Sequence, residues 1–162
     1  MTDSADKLPA ENQSAAMADF LVALGVALHA YGTPTHRIEE ALTEVARKHG
    51  LRGQFLVTPT SLQASFGSGP RRVHYLERVD AGEVDLRKLT LLHRLLQSAY
   101  HGEIDPASAS AEVDEIRTAP PGYPRPVLAI GFSIASAASA RVFGGGPPEI
   151  GVSAAAGLLV GA

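Results

Sequence analysis

"TAPPGYPRPVLAIGFSIASAASARVF", residues 118–143, divides the chain into two kinds of sequence. Prolines 120, 121, 124 and 126 lack amide donors and resist helix, so residues 118–126 predict a stiff, extended linker. From Pro126 to Ala140 no residue is charged, and the run continued to Phe143 reaches the roughly 17-residue lower limit of a membrane helix. Small residues recur at every fourth position, as Gly131, Ala135 and Ser139 and again as Ala129, Ser133 and Ala137. That spacing is how membrane helices let neighbours approach closely. Arg141, one turn from the end, can snorkel to lipid headgroups. Beyond it "GGGPPE", residues 144–149, predicts a loop at the membrane interface, opened by Gly144, Gly145 and Gly146. A second apolar run, "IGVSAAAGLLVGA", begins at Ile150 and is still apolar at Ala162. About 20 residues are needed to cross a bilayer. The run therefore reads as a truncated second transmembrane helix, and the chain as a fragment of a larger membrane protein.

Taken whole, the 162-residue chain has the composition of an ordinary globular domain, with 45% apolar residues and a net charge of −3. These values suggest neither disorder nor the basic footprint of a nucleic-acid binder, so no nucleic-acid partner is expected. The absence of cysteine removes disulfides and thiolate metal sites and fits a reducing compartment. "MTDSADKLPAENQSA", residues 1–15, is polar and partly acidic, unlike a secretory signal, and predicts a disordered tail. The organisation expected is a tail over 1–15, an α+β domain over 16–117, the linker over 118–126 and the start of a transmembrane domain over 127–162.

The pattern of residues 16–117 is helices, then strands, then helices. Phe20, Leu21, Leu24, Leu28 and Tyr31 recur at helical spacing, which predicts a helix from Ser14 to Ala30 stopped by Gly32 in a left-handed position. Thr33 suits an N-cap and Pro34 the first helical position of a second helix, making a helical hairpin. That helix buries Ile38, Ala41, Leu42 and Val45, leaves Glu40, Glu44 and Lys48 on its solvated face, and ends near Gly50. "QFLVT", "LQASF" and "RRVHYLE" then predict a small, largely antiparallel sheet, with Leu62, Ala64 and Phe66 inward and "GSGP" as a turn. Asp85 caps a leucine-rich helix that ends at Gly102, and Asp105-Pro106 opens a last short helix through Ile116.

Two stretches offer candidate sites. In "YGTPTHRIEEA", residues 31–41, helical geometry places Arg37 and Glu39 about 100° to either side of the buried Ile38, so they cannot jointly chelate one small ligand. They read as border residues paired with Glu40 and His36 respectively, or as arms reaching separate neighbouring elements such as the "VTPTS" bend. In "VTPTS", Thr58, Thr60 and Ser61 beside Pro59, with His36, His74 and Asp85 elsewhere, supply the residue types of a nucleophile, base and orienting acid. No nucleophile elbow accompanies them, and a Pro-bent strand whose hydroxyls satisfy its broken ladder accounts for the same residues. No catalytic residue is assigned. The histidines lack the spacing of metal ligands, and neither metal nor cofactor is expected.

The ordered series "YGTPTHRIEEALTEVARKHGL", "VTPTSLQASF", "VDLRKLTLLHRLLQSAYHGEI" and a Pro-rich link into "FGGG" resembles the threonine/serine exporter family over residues 16–162. Its blocks single out Gly32, Arg37 and Glu39, with Pro59, Thr60 and Asp85 as further candidates, without assigning them roles. The resemblance implies a cytoplasmic α+β domain ahead of a multi-helix domain in the cell (inner) membrane that exports threonine and serine on the proton gradient. The partners implied are those amino acids, protons, the lipid bilayer and the remaining transmembrane helices. A membrane-tethered hydrolase-like or regulatory domain is the alternative reading.

Overall fold

In a computed structural model, residues 7–80, 82, 84–120 and 122–162 are described. The chain divides between Ala119 and Pro120 into two compact units. Among the described residues the first holds helices α1 (Lys7–Ala30) and α2 (Thr35–Lys48), strands β1 (Gly53–Thr58), β2 (Ser61–Phe66) and β3 (Val73–Arg78), and helices α3 (Leu86–His101) and α4 (Pro106–Thr118). The second holds α5 (Arg125–Val142) and α6 (Pro147–Val160).

The expected α+β class is what the first unit shows. The sheet is antiparallel in the order β1-β2-β3. Its inner face carries Val57, Leu62, Ala64 and Phe66 into the core, where they meet Phe20, Leu21, Leu24 and Leu28 of α1 and Ile38, Leu42 and Val45 of α2. Gly25 is where these layers come closest: a Cβ there would lie 2.5 Å from Leu62 Cδ1 and 2.7 Å from Leu42 Cδ1. Across the inner face Phe55, Phe66 and Tyr75 stack edge to face at 5.5 and 5.6 Å, the arrangement aromatic quadrupoles favour. Tyr75 also ties β3 to α1 by donating to Asp19 Oδ1 at 2.8 Å. Burial, and then that carboxylate, push its phenol up to about 12.

Several boundaries differ from the sequence reading. The tail expected over 1–15 is helical from Lys7 onward, and residues 1–6 lie outside the described residues. Ala10, Glu11, Gln13, Ala15 and Ala16 are strong helix formers, which accounts for the earlier start. The second helix starts one residue late: Pro34, not Thr33, holds the N-cap position and makes no side-chain cap. The Thr33 hydroxyl is instead buried with no hydrogen-bond partner among the described residues. Ala46 replaces Ala41 on the buried stripe. Glu44 is not simply solvated, since Tyr100 donates to its Oε1 at 3.2 Å while Lys48 Nζ lies 3.3 Å from the centre of the Tyr100 ring.

In the second unit α5 and α6 form an antiparallel hairpin. Pro147, Pro148 and Glu149, expected in a loop, form the first turn of α6, because proline suits the first helical positions. The connection shrinks to Phe143–Gly146, with Gly144 at φ 85 and Gly146 at the N-cap. By length and composition one helix among the described residues, Asn12–Ala30, is apolar enough to cross a membrane, yet more than half of it is buried as the core helix of the first unit. What marks α5 and α6 is exposure: Ile134, Val142, Phe143, Val152, Leu159 and Val160 are 65–89% accessible.

Candidate functional site

The candidate residues gather where three connections meet at one end of the α+β unit. The first is the α1–α2 corner, which turns through Gly32 at φ 99. Thr33 N donates back to Leu28 O at 3.0 Å, closing the end of α1. The second is the β1–β2 turn, Pro59-Thr60, set by the pairing of Thr58 with Ser61. The third is the β3–α3 connection. Val79 N donates to Thr60 O at 2.9 Å, Gly82 N donates to Ala30 O at 3.0 Å, and Val84 packs on Gly32, whose Cβ would lie 3.0 Å from Val84 Cγ2. A side chain at Gly32 would thus meet both a left-handed backbone and a wall.

Polar side chains brace this junction. Glu39, on α2, accepts from the Val57 amide through Oε1 at 2.7 Å, so it spans from helix to strand. Of the two readings of Glu39, the reach to the "VTPTS" segment is the one formed, and the pairs Arg37–Glu40 and His36–Glu39 do not form. Arg37 is exposed in the first turn of α2. His29 Nε2 lies 3.2 Å from Pro59 O. Lys88 Nζ donates to Arg117 O at 2.9 Å and to Tyr31 Oη at 3.3 Å, tying α3 and the corner to the last turn of α4. A cation on terminal carbonyls is the favourable end of the helix dipole.

The hydroxyls of the turn are occupied with one another. Thr58 Oγ1 and Ser61 Oγ are 2.8 Å apart, and Ser61 N donates to Thr58 Oγ1 at 3.1 Å. Pro59 is therefore the turn residue of a hairpin and not a bend within one strand, and among the described residues none but glycine takes positive φ. His74 and Asp85, offered by the sequence as base and acid, are elsewhere. His74 pairs across from Ser65, at the far end of β2 from Ser61. The Asp85 carboxylate accepts from the amides of Arg87 and Lys88, both at 3.0 Å. Among the described residues no three His, Asp or Glu side chains are grouped to hold a metal ion.

The model of a family described as "Putative threonine/serine exporter" matches residues 19–162. The chain belongs to the threonine/serine exporter family. Among curated proteins it is similar to an uncharacterized protein of Schizosaccharomyces pombe, 30% identical over 88% of this chain and 19% of that protein. It is also similar to pheromone-regulated membrane protein 10 of Kluyveromyces lactis, 31% identical over 88% of this chain and 15% of the relative. The protein of that name in Saccharomyces cerevisiae is 29% identical over 88% of this chain and 19% of its own length. The chain thus spans less than a fifth of the length of these relatives. No solved structure matches it.

Within this exporter-family chain the six singled-out residues divide by what they do. Gly32, Pro59 and Thr60 form the corner and the turn, Glu39 joins α2 to β1, Asp85 caps α3, and Arg37 stays exposed beside them. Gly144, Gly145 and Gly146 make the tight α5–α6 connection, where a Cβ on Gly145 would lie 2.9 Å from Ala140 O. Sequence reasoning missed His29, Tyr31 and Lys88, whose partners are 30, 86 and 29 residues away. Asp85→Ala should lower stability by about 1 kcal/mol through loss of the cap, read as a shift of the urea midpoint. Asp105 repeats this device on α4: the Ser108 amide, bonded at 3.0 Å, holds its carboxyl below the usual range.

Proposed function

We propose that the chain is the α+β domain and leading helical hairpin of a membrane exporter of threonine and serine, driven by the proton gradient, and not an enzyme. The observation that carries this is the apolar surface of α5 and α6, on which Ile134, Val142, Phe143 and Leu159 face outward. So many large apolar side chains exposed on two neighbouring helices favour a lipid or protein contact. The description of the family supports threonine and serine as the class of cargo. In the whole protein the hairpin lies in the bilayer, and the open stripe Gly131, Ala135 and Ser139 admits a further transmembrane helix. The transport path lies among such helices, and the α+β domain stays in the cytoplasm at the cell membrane. Arg117 precedes α5 and Arg125 opens it, against Arg141 alone near its far end, which favours the cytoplasmic side for the leading end.

Cells loaded with threonine should release it faster when they carry the full-length protein, and a protonophore should remove the difference. Equal release with and without the protein would refute the export reading. Orientation is tested separately, because the chain has no cysteine of its own. Ser108→Cys should stay unlabelled by an impermeant thiol reagent in intact cells, and Pro148→Cys should label. The reverse pattern would invert the topology.

A further inference from the structure

Among the described residues no strand pairs with the outer edge of β3, and the sequence of that edge is complementary to itself. The direction of its free backbone groups follows from the Glu39 contact. Val57 N–H points away from β2 to reach Glu39, so Val57 and Leu62 form a non-hydrogen-bonded pair. Leu62 therefore bonds toward β3, where its partner is Glu77. Alternation then turns the amides and carbonyls of Glu77, Tyr75 and Val73 toward β2 and those of His74, Leu76 and Arg78 outward. The bond from Val79 N to Thr60 O continues the same pattern. On the other edge, the Glu39 carboxylate occupies the outward amide of Val57 on β1. On β3 every residue but Tyr75 is exposed, Leu76 by 72% and Val73 by 54%.

Natural sheets blunt such an edge with charge or cover it. Here the charges select one pairing. When two copies of β3 run antiparallel about a two-fold axis at Leu76, Leu76 meets Leu76, Tyr75 meets Glu77, His74 meets Arg78, Val73 meets Val79 and Arg72 meets Asp80. The last is an attraction made twice by symmetry, and Arg72 is already extended. A slip of two residues one way sets Arg72 against Arg78, and the other way sets Glu77 against itself. Like charges directly opposite destabilise a pair. On the outer face the row Leu56–Gln63–Leu76 of one copy then continues into the same row of the other.

We propose that the α+β domain dimerises by pairing β3 with β3 of a second copy, in the register centred on Leu76, to give a continuous six-stranded sheet. The surface lies wholly within the α+β unit and does not depend on what the exporter carries.

The test uses the full chain in detergent. Light scattering after gel filtration should give a dimer for the wild type. Arg72→Glu and Asp80→Arg each convert two attractions into two repulsions and should raise the monomer–dimer midpoint roughly tenfold. The double variant, which restores opposite charges across the axis, should return to the wild-type midpoint. Cysteine at Leu76 should form an intermolecular disulfide, since Cα atoms in a hydrogen-bonded antiparallel pair are about 5.5 Å apart. Cysteine at Gln54, exposed on β1, should not. A monomeric wild type, a dimer indifferent to both charge reversals, a double variant as weak as the singles, or equal cross-linking at 54 and 76 would each overturn the proposal. Indifference to the reversals is what association through α5 and α6 would give.

Discussion

Gly157→Leu should break the α5–α6 hairpin, whereas Gly151→Leu, two turns earlier on the same helix, should leave it intact. The two helices touch through backbone. A Cβ at residue 157 would lie 2.5 Å from Phe132 O and from Ser136 Oγ and 2.9 Å from Phe132 C, while at Gly151 nothing lies within 4 Å. A flexible side chain can rotate away; the carbonyl of Phe132 is fixed in the α5 ladder and can only move with its helix. Gly161 repeats the contact one turn on, 2.6 Å from Ala129 Cα, so "GLLVG" is a small-xxx-small face used in full. Overpacking of this kind costs about 1–3 kcal/mol even where neighbours can adjust. Thermal melts of the full chain in detergent should show the loss for residue 157 and none for 151. Equal melts would mean that the helices do not pack through this face.

Glu39→Ala should be the most damaging single substitution of a charged residue in the α+β unit. It would leave the Val57 amide, now bonded at 2.7 Å and part-buried, without an acceptor. Stranding such a group costs about 1–3 kcal/mol. Glu39→Gln keeps an oxygen at the same reach and should lose less. Glu40→Ala, one residue on and exposed, should change stability by no more than about 0.5 kcal/mol. Urea unfolding of the three variants checks the order, and a Glu39→Ala midpoint equal to that of Glu40→Ala would contradict it. The bond also occupies the outward Val57 amide on the β1 edge, so its loss should free that amide for pairing.

The sequence was legible wherever a feature depends on neighbours along the chain. The left-handed Gly32, the caps at Asp85 and Asp105 and the inward Leu62, Ala64 and Phe66 were read because each is set by backbone geometry or by a period of a few residues. The Pro59-Thr60 turn was missed because it lacks the Asn-Gly or Asp-Gly signal of the favoured hairpin turns. The hydroxyls of Thr58 and Ser61 secure it instead. Glu39 was placed on the border of its helix, but which of two readings it follows is decided by Val57, 18 residues away. His29 and Lys88 carried no local pattern at all, since each acts on a carbonyl brought near by packing. Small-residue spacing on α5 was visible twice over. Only the partner helix, through Gly157 and Gly161, shows which face is engaged: Gly131, with nothing within 4 Å of its Cβ position, is on the open one.

The proposed function requires α5 and α6 to lie in lipid and the α+β domain in water. The full chain, reconstituted in lipid vesicles, carries a nitroxide on a cysteine placed at Ile134, exposed midway along α5, or at Ser108, exposed on α4. Collision rates with oxygen, which concentrates in the bilayer, and with a water-soluble nickel chelate are then compared. The label at residue 134 should collide predominantly with oxygen and the label at residue 108 with nickel. Nickel access at residue 134 equal to that at residue 108 would contradict the account.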